Sequence, residues 1–153
     1  MHIAIVGSRE YPHLEDVKAL VEHIAADNPC AVIVSGGAKG VDKMAEETAN
    51  AAGLEVISFR VRQIDDENFG TEEWYFSRSG GGNVRLMIEE PTWQTYDDAL
   101  SYRNALIIER AERVVAFHDG LSRGTQLALD FTKAFDRPLK KYGTDGDRLK
   151  LAA

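Results

Sequence analysis

The sequence predicts an α/β fold of three layers, a mostly parallel sheet with helices on both faces. Two observations carry this. Short apolar runs bounded by glycine or polar residues alternate with segments whose apolar residues recur at helical spacing. Strands that alternate with helices imply a parallel sheet covered on both sides, because a helical crossover returns the chain to the same edge.

The elements follow in order. His2 to Val6 reads as a short buried strand, broken by Gly7-Ser8-Arg9. Val17, Leu20, Val21 and Ile24 fall on one helical face. Ala31 to Val34 is a second strand, followed at once by glycines. Val41, Met44, Ala45, Ala49 and Ala52 mark a second helix, and Gly53 suits its C-terminal stop. Glu55 to Phe59 is a third strand. A helix is expected from about Asp97 to Glu112, carrying Tyr102 and Leu106. Val114 to Phe117 is a fourth strand. Leu127, Ala128, Phe131 and Phe135 line another helix, and Pro138 to Tyr142 reads as a last strand. The stretch 62–95 breaks this rhythm. It is acidic and aromatic, and it is expected to be an irregular insertion, either a lid or a plain surface excursion. Within it, Ser79-Gly80-Gly81-Gly82-Asn83 follows no clear strand and reads as a hairpin tip. The polar tail after Gly143 is expected to fray.

With 153 residues, the chain has the length of a single domain with a core of its own. No apolar run reaches the roughly 18 residues of a membrane helix. Met1-His2-Ile3-Ala4 lacks the basic and apolar regions of a signal peptide. Cys30, the single cysteine, permits no internal disulfide, which fits a reducing cytoplasm. It is expected to be a partly buried thiol. The formal net charge is −7, and Lys and Arg are what neutralise phosphates, so nucleic acid is an unlikely partner on this reading.

Three loops are expected at the C-terminal edge of the parallel strands, where open α/β sheets bind ligands. They are Gly7-Ser8-Arg9; Ser35-Gly36-Gly37-Ala38-Lys39-Gly40-Val41-Asp42; and Asp119-Gly120-Leu121-Ser122-Arg123-Gly124-Thr125. Each leads towards a helix, whose free N–H groups and partial positive charge suit an anion. Glycine permits close backbone approach, the hydroxyls of Ser35, Ser122 and Thr125 add donors, and Arg9, Lys39 and Arg123 add charge. One glycine-rich turn has a geometric explanation; three at one edge point to phosphate. The spacing matches neither the Walker motif nor G-x-G-x-x-G, so ATP hydrolysis and NAD chemistry are poor fits, and no cofactor is expected.

The segments "GSR", "SGGAKGVDKMAEETA" and "YRNALIIERAERVVAFHDGLSRGT" resemble the SLOG superfamily of Rossmann-like proteins, and within it the YspA-related branch. The superfamily includes the LOG phosphoribohydrolases and the DNA-processing protein DprA. The resemblance covers 1–60 and about 97–142. It implies a nucleotide-derived small molecule at the three loops, with Arg103 and Asn104 on the preceding helix as further contacts, and a homodimer formed near Tyr102 and Leu106. LOG enzymes carry a glutamate soon after the last loop. Here Gln126, Leu127, Ala128 and Leu129 follow, then Asp130, so the carboxylate is missing or displaced. A carboxylate stabilises the oxocarbenium character of N-glycosidic cleavage. Asp42, Asp119 and Asp130 remain the candidates alongside Arg103, although Asp42 equally suits a helix cap or a ribose contact.

Other residues carry weaker signals. His2, His13, His23 and His118 show no metal spacing, and no metal site is expected. Trp74, Tyr75, Trp93 and Tyr96 suit base stacking, packing or a dimer contact. Glu46 and Glu47 read as a solvated helix face. The leading expectation is therefore a nucleotide-binding or sensing module. The alternatives are a LOG-type nucleotide hydrolase and a single-stranded DNA binder of the DprA kind.

Overall fold

A computed structural model describes residues 1–77 and 83–151. In chain order the elements are β1 (His2–Gly7), α1 (Leu14–Asp27), β2 (Val32–Ser35), α2 (Val41–Ala51), β3 (Glu55–Gln63) and β4 (Phe69–Phe76). They continue with β5 (Asn83–Trp93), α3 (Tyr96–Arg110), β6 (Arg113–Phe117), α4 (Arg123–Ala134) and β7 (Leu139–Tyr142). One seven-stranded sheet runs β5-β4-β3-β2-β1-β6-β7. The five strands from β3 to β7 in that order pair in parallel, with Ile3 beside Ile33 and Arg113. β4 and β5 extend the sheet antiparallel. This is the expected α/β architecture.

The two faces have separate apolar layers. Val17, Leu20, Val21 and Ile24 of α1 and Val41, Ala45 and Ala49 of α2 cover Ile3, Ile5 and Ile33. Ile107 and Ile108 of α3 and Ala128 and Leu129 of α4 cover Ala4, Val34, Ile57 and Phe59. Each helix buries the stripe its apolar spacing defines. The chain order reverses between β1 and β6, so a crevice opens beyond their carboxyl ends.

The segment 62–95 is not irregular. β3 continues four residues past Phe59, and β4 and β5 form a hairpin on it, with Arg60 opposite Glu72 and Trp74 opposite Arg85. Beyond the core, the ribbon has no continuous apolar run, because its outer strand is exposed on both faces. Its β-branched and aromatic residues were the available sign. The glycine triplet of the expected hairpin tip lies outside the described residues; Asn83 opens β5.

Two smaller expectations, on the tail and on Cys30, also change. The tail does not fray as far as Leu149. Tyr11 donates its hydroxyl to Gly143 O (2.6 Å), Arg148 pairs with Asp16 (3.0 Å), and Leu149 packs on the core. Cys30 is exposed, not partly buried. Tyr102 and Leu106 are used within the chain, Tyr102 against Trp93 and Leu106 against the α3/α4 layer. No helix among the described residues is long and apolar enough to cross a membrane.

Candidate functional site

β2, β1 and β6 are neighbours, so the three loops that follow them meet at one edge. The first and third in the chain are bonded to each other. Ser8 N donates to Phe117 O (3.1 Å), Asp119 N donates to Ser8 Oγ (3.2 Å), and Ser8 Oγ shares a hydrogen bond with Thr125 Oγ1 (3.3 Å). The glycines make this closeness feasible. A Cβ on Gly7 would lie 2.6 Å from Val41 Cγ2, and one on Gly36 would lie 2.6 Å from Arg103 Nη1. One on Gly40, where φ is +80°, would strike the backbone of Arg9. The glycines thus serve loop-on-loop packing as well as any ligand.

Between the loops and α3 lies a cleft of about 520 Å³. Ten expected residues line it: Gly7, Arg9, Ala38, Asp42, Arg103, Asn104, Asp119, Ser122, Gly124 and Thr125. Gly36, Gly37 and Lys39 line an adjoining recess with Arg9 and Arg60. Ser8 and Ser35 are buried beneath the loops. Gly120 has open space beside it, and Gly40 packs under Arg9. Arg123 and Asp130 face a separate groove beside Asp97 and Asp98. Asp130 is bonded to Gln126 Nε2 (3.1 Å), so the displaced carboxylate is not in the cleft.

Arg103 is buried under the second loop. Its Nη1 donates to Gly36 O (2.7 Å) and Phe59 O (3.3 Å), and its Nε donates to Asn104 Oδ1 (3.0 Å). Burial lowers its pKa while the Asp42 charge opposes that. Asp42 accepts from Ala38 N (3.3 Å). Burial pushes its carboxyl up from the ordinary 3.8 to about 6, against the pull of Arg103. Asp119 differs. Partial burial works to raise it, but the N–H groups of Leu121 (2.8 Å) and Ser122 (2.9 Å) hold it below the usual range. Asp119 is therefore a loop staple, and Ser122 caps α4 by accepting from Thr125 N. α2 has no such side-chain cap, because Gly40 occupies that position.

Glu46 corrects the expectation of a solvated face. It is buried, and its Oε2 accepts from Ser35 Oγ (2.7 Å) and Ser58 Oγ (2.8 Å) while Oε1 pairs with Arg60 (2.9 Å). Glu47 alone stays exposed. Asp42 and Glu46 stand four apart on one face of α2, a spacing that places both beneath the loop. On α3, Arg103 and Asn104 were expected, but Leu100 and Ile107 of the cleft wall were missed. Tyr96, Leu100, Arg103 and Ile107 recur at helical intervals, and that periodicity was the available signal. Of the four candidate stacking residues, only Tyr96 reaches the cleft.

A Rossmann-like sheet with glycine loops and helix starts gathered at its switch point defines an α/β domain of the doubly wound class, with an edge whose geometry suits an anion. Over residues 1–145 the chain matches the model of DNA recombination-mediator protein A, and it belongs to that family. Two solved structures share the fold. DNA processing protein A from Helicobacter pylori, which has a unique single-stranded DNA binding mode, is 21% identical with a TM-score of 0.67; the match covers 97% of this chain and 67% of that one. DprA from Streptococcus pneumoniae is 19% identical with a TM-score of 0.65, covering 92% of this chain and 50% of that one. The chain thus spans about two thirds of one relative and half of the other. No curated protein matches it.

The family match overturns two expectations. A sensing module for a free nucleotide-derived molecule is replaced by a DNA-recombination family. The exclusion of nucleic acid falls with it. Net charge sums the whole chain, whereas a strand meets only the local field. Arg9 and Lys39 stand exposed at the loop edge, and neither forms an ion pair among the described residues.

Proposed function

We propose that the loop edge binds single-stranded DNA. The observation that carries this is the meeting of three helix-leading loops around a cleft at whose edge Arg9 and Lys39 stand exposed, without a salt bridge among the described residues, in a chain of the DNA recombination-mediator protein A family. Arg9 and Lys39 neutralise backbone phosphates. The uncapped start of α2 offers N–H groups to an anion. Leu100, Ile107 and Tyr96 give the cleft an apolar wall that suits a base. Arg103, Asp42 and Glu46 hold the second loop in shape from below.

The test is fluorescence anisotropy with labelled oligothymidylate. Single-stranded DNA is expected to bind, and Arg9→Gln together with Lys39→Gln to weaken it by about tenfold, the scale of two charge-assisted contacts at an exposed site. Absence of binding at low salt overturns the reading.

A further inference from the structure

The β3–β5 ribbon carries a second set of cations and rings beside the cleft. Ser58 lies opposite Trp74, Arg60 opposite Glu72, and Trp74 opposite Arg85. Side chains alternate along a strand, so Arg60, Arg62, Glu72, Trp74, Phe76 and Arg85 share one face. Ser58 Oγ on that face reaches Glu46 of α2, while α3 packs on β4 and β5 from the other layer.

The charges on this face are sorted by depth. Glu46 and Glu72 are recessed, with side-chain exposures of 9% and 13%. Arg60, Arg62 and Arg85 are presented outward at 36%, 42% and 53%. Arg60 and Arg85 each lie 5.4 Å from the Trp74 ring centre, and the Trp74 and Phe76 rings are stacked, 7° from parallel. Arg60 pairs with Glu46 (2.9 Å), and Arg62 and Arg85 pair with Glu72 (3.6 and 4.0 Å), so solvent meets guanidinium groups laid over a half-buried ring, with the acids beneath. Arg60 joins this face to the cleft. Its Nε donates to Ser58 Oγ (3.0 Å), and a Cβ on Gly37 would lie 2.5 Å from that same nitrogen.

We propose that this face continues the DNA track beyond the cleft, with Arg62 and Arg85 on phosphates and a base stacked at Trp74. The proposal rests on the single-stranded DNA reading and lengthens its footprint. The chemistry fits a single strand in particular. An exposed base has a free π-face, and rows of cations with an aromatic platform bind such strands with little regard for sequence. Arg85 is a flexible, exposed side chain, so a base can take its place on the ring and leave the guanidinium beside the adjoining phosphate.

The chain has two tryptophans. Trp93 has a buried Nε1 without a partner among the described residues, so Trp93→Phe removes an unsatisfied donor, keeps an aromatic ring beside Tyr102 and leaves Trp74 as the sole indole. In that background, oligothymidylate is expected to quench the Trp74 emission, with polyphosphate of equal charge leaving it unchanged. Adding Arg62→Gln and Arg85→Gln is expected to weaken an oligonucleotide of about twenty nucleotides roughly tenfold, and one of about five nucleotides hardly at all. Three results overturn the proposal. One is unchanged Trp74 emission while DNA is bound, which leaves the cleft reading intact. Another is equal quenching by polyphosphate or polyglutamate, which marks a surface for acidic polymers or proteins. The third is no DNA binding at any length, which removes the parent reading as well.

Discussion

Asp42 sets the charge of the cleft. Its carboxyl titrates near 6 in the fold against 3.8 ordinarily. The folded state then holds the proton more tightly than the unfolded one. The stability this contributes is fully present below about pH 4 and is lost as the pH rises to about 6. Asp42→Asn removes the dependence. Measured by urea unfolding, the native chain should lose about 1–3 kcal/mol relative to the variant between those limits and nothing further above them. Parallel curves would contradict the assignment. DNA binding should strengthen over the same fall in pH, because the carboxylate opposes a phosphate. Arg103 works differently. Removing it leaves two buried carbonyls and Asp42 without their partner, so Arg103→Met should cost about 3 kcal/mol of stability in the same assay. Its place on a helix was legible from spacing, but its burial was not. A lone arginine reads as surface, since charged residues are seldom buried unless paired.

At the scale of elements, the parallel strands and four helices were legible because each buries a stripe or run that the sequence states openly. The β4–β5 ribbon was not. Phe69-Gly70-Thr71-Glu72-Glu73-Trp74-Tyr75-Phe76 mixes rings and acids, because it is held by pairing with β3 while its burial is uneven, with Glu73 buried and Trp74 half-buried. The buried Glu46 network escaped for a related reason. Ser35 on β2 and Ser58 and Arg60 on β3 are distant from it in sequence and meet it only in the fold. Glu46→Ala should therefore cost about 2–4 kcal/mol by chemical denaturation, far above the usual loss at an exposed helix position. Helix starts make a contrasting prediction. Thr95 caps α3 by accepting from Asp98 N (3.1 Å), so Thr95→Ala should lower stability by about 1 kcal/mol while DNA affinity stays constant. A loss of DNA affinity in that variant would place the start of α3 in the interface.

Over the whole molecule, an acidic chain presents cations where its loops converge. The loops were legible as a candidate site because three glycine-bearing turns follow strands of one predicted parallel sheet; that the three strands are neighbours came only with the fold. Their ligand was not legible, because total charge hides how charge is distributed between the loop edge and the helix backs. Arg9, Lys39 and Arg123 are exposed on or beside the loops, whereas acids such as Asp42 and Glu46 are buried and engaged. The most direct measurement is the affinity for oligothymidylate as a function of salt. The two phosphate contacts of Arg9 and Lys39 on a single strand give a slope of about −1.4 in log K against log salt. That slope should become shallower by about 0.7 for each of Arg9→Gln and Lys39→Gln. Binding that ignores salt, or a slope unchanged in both variants, would contradict the assignment of the loop edge to single-stranded DNA.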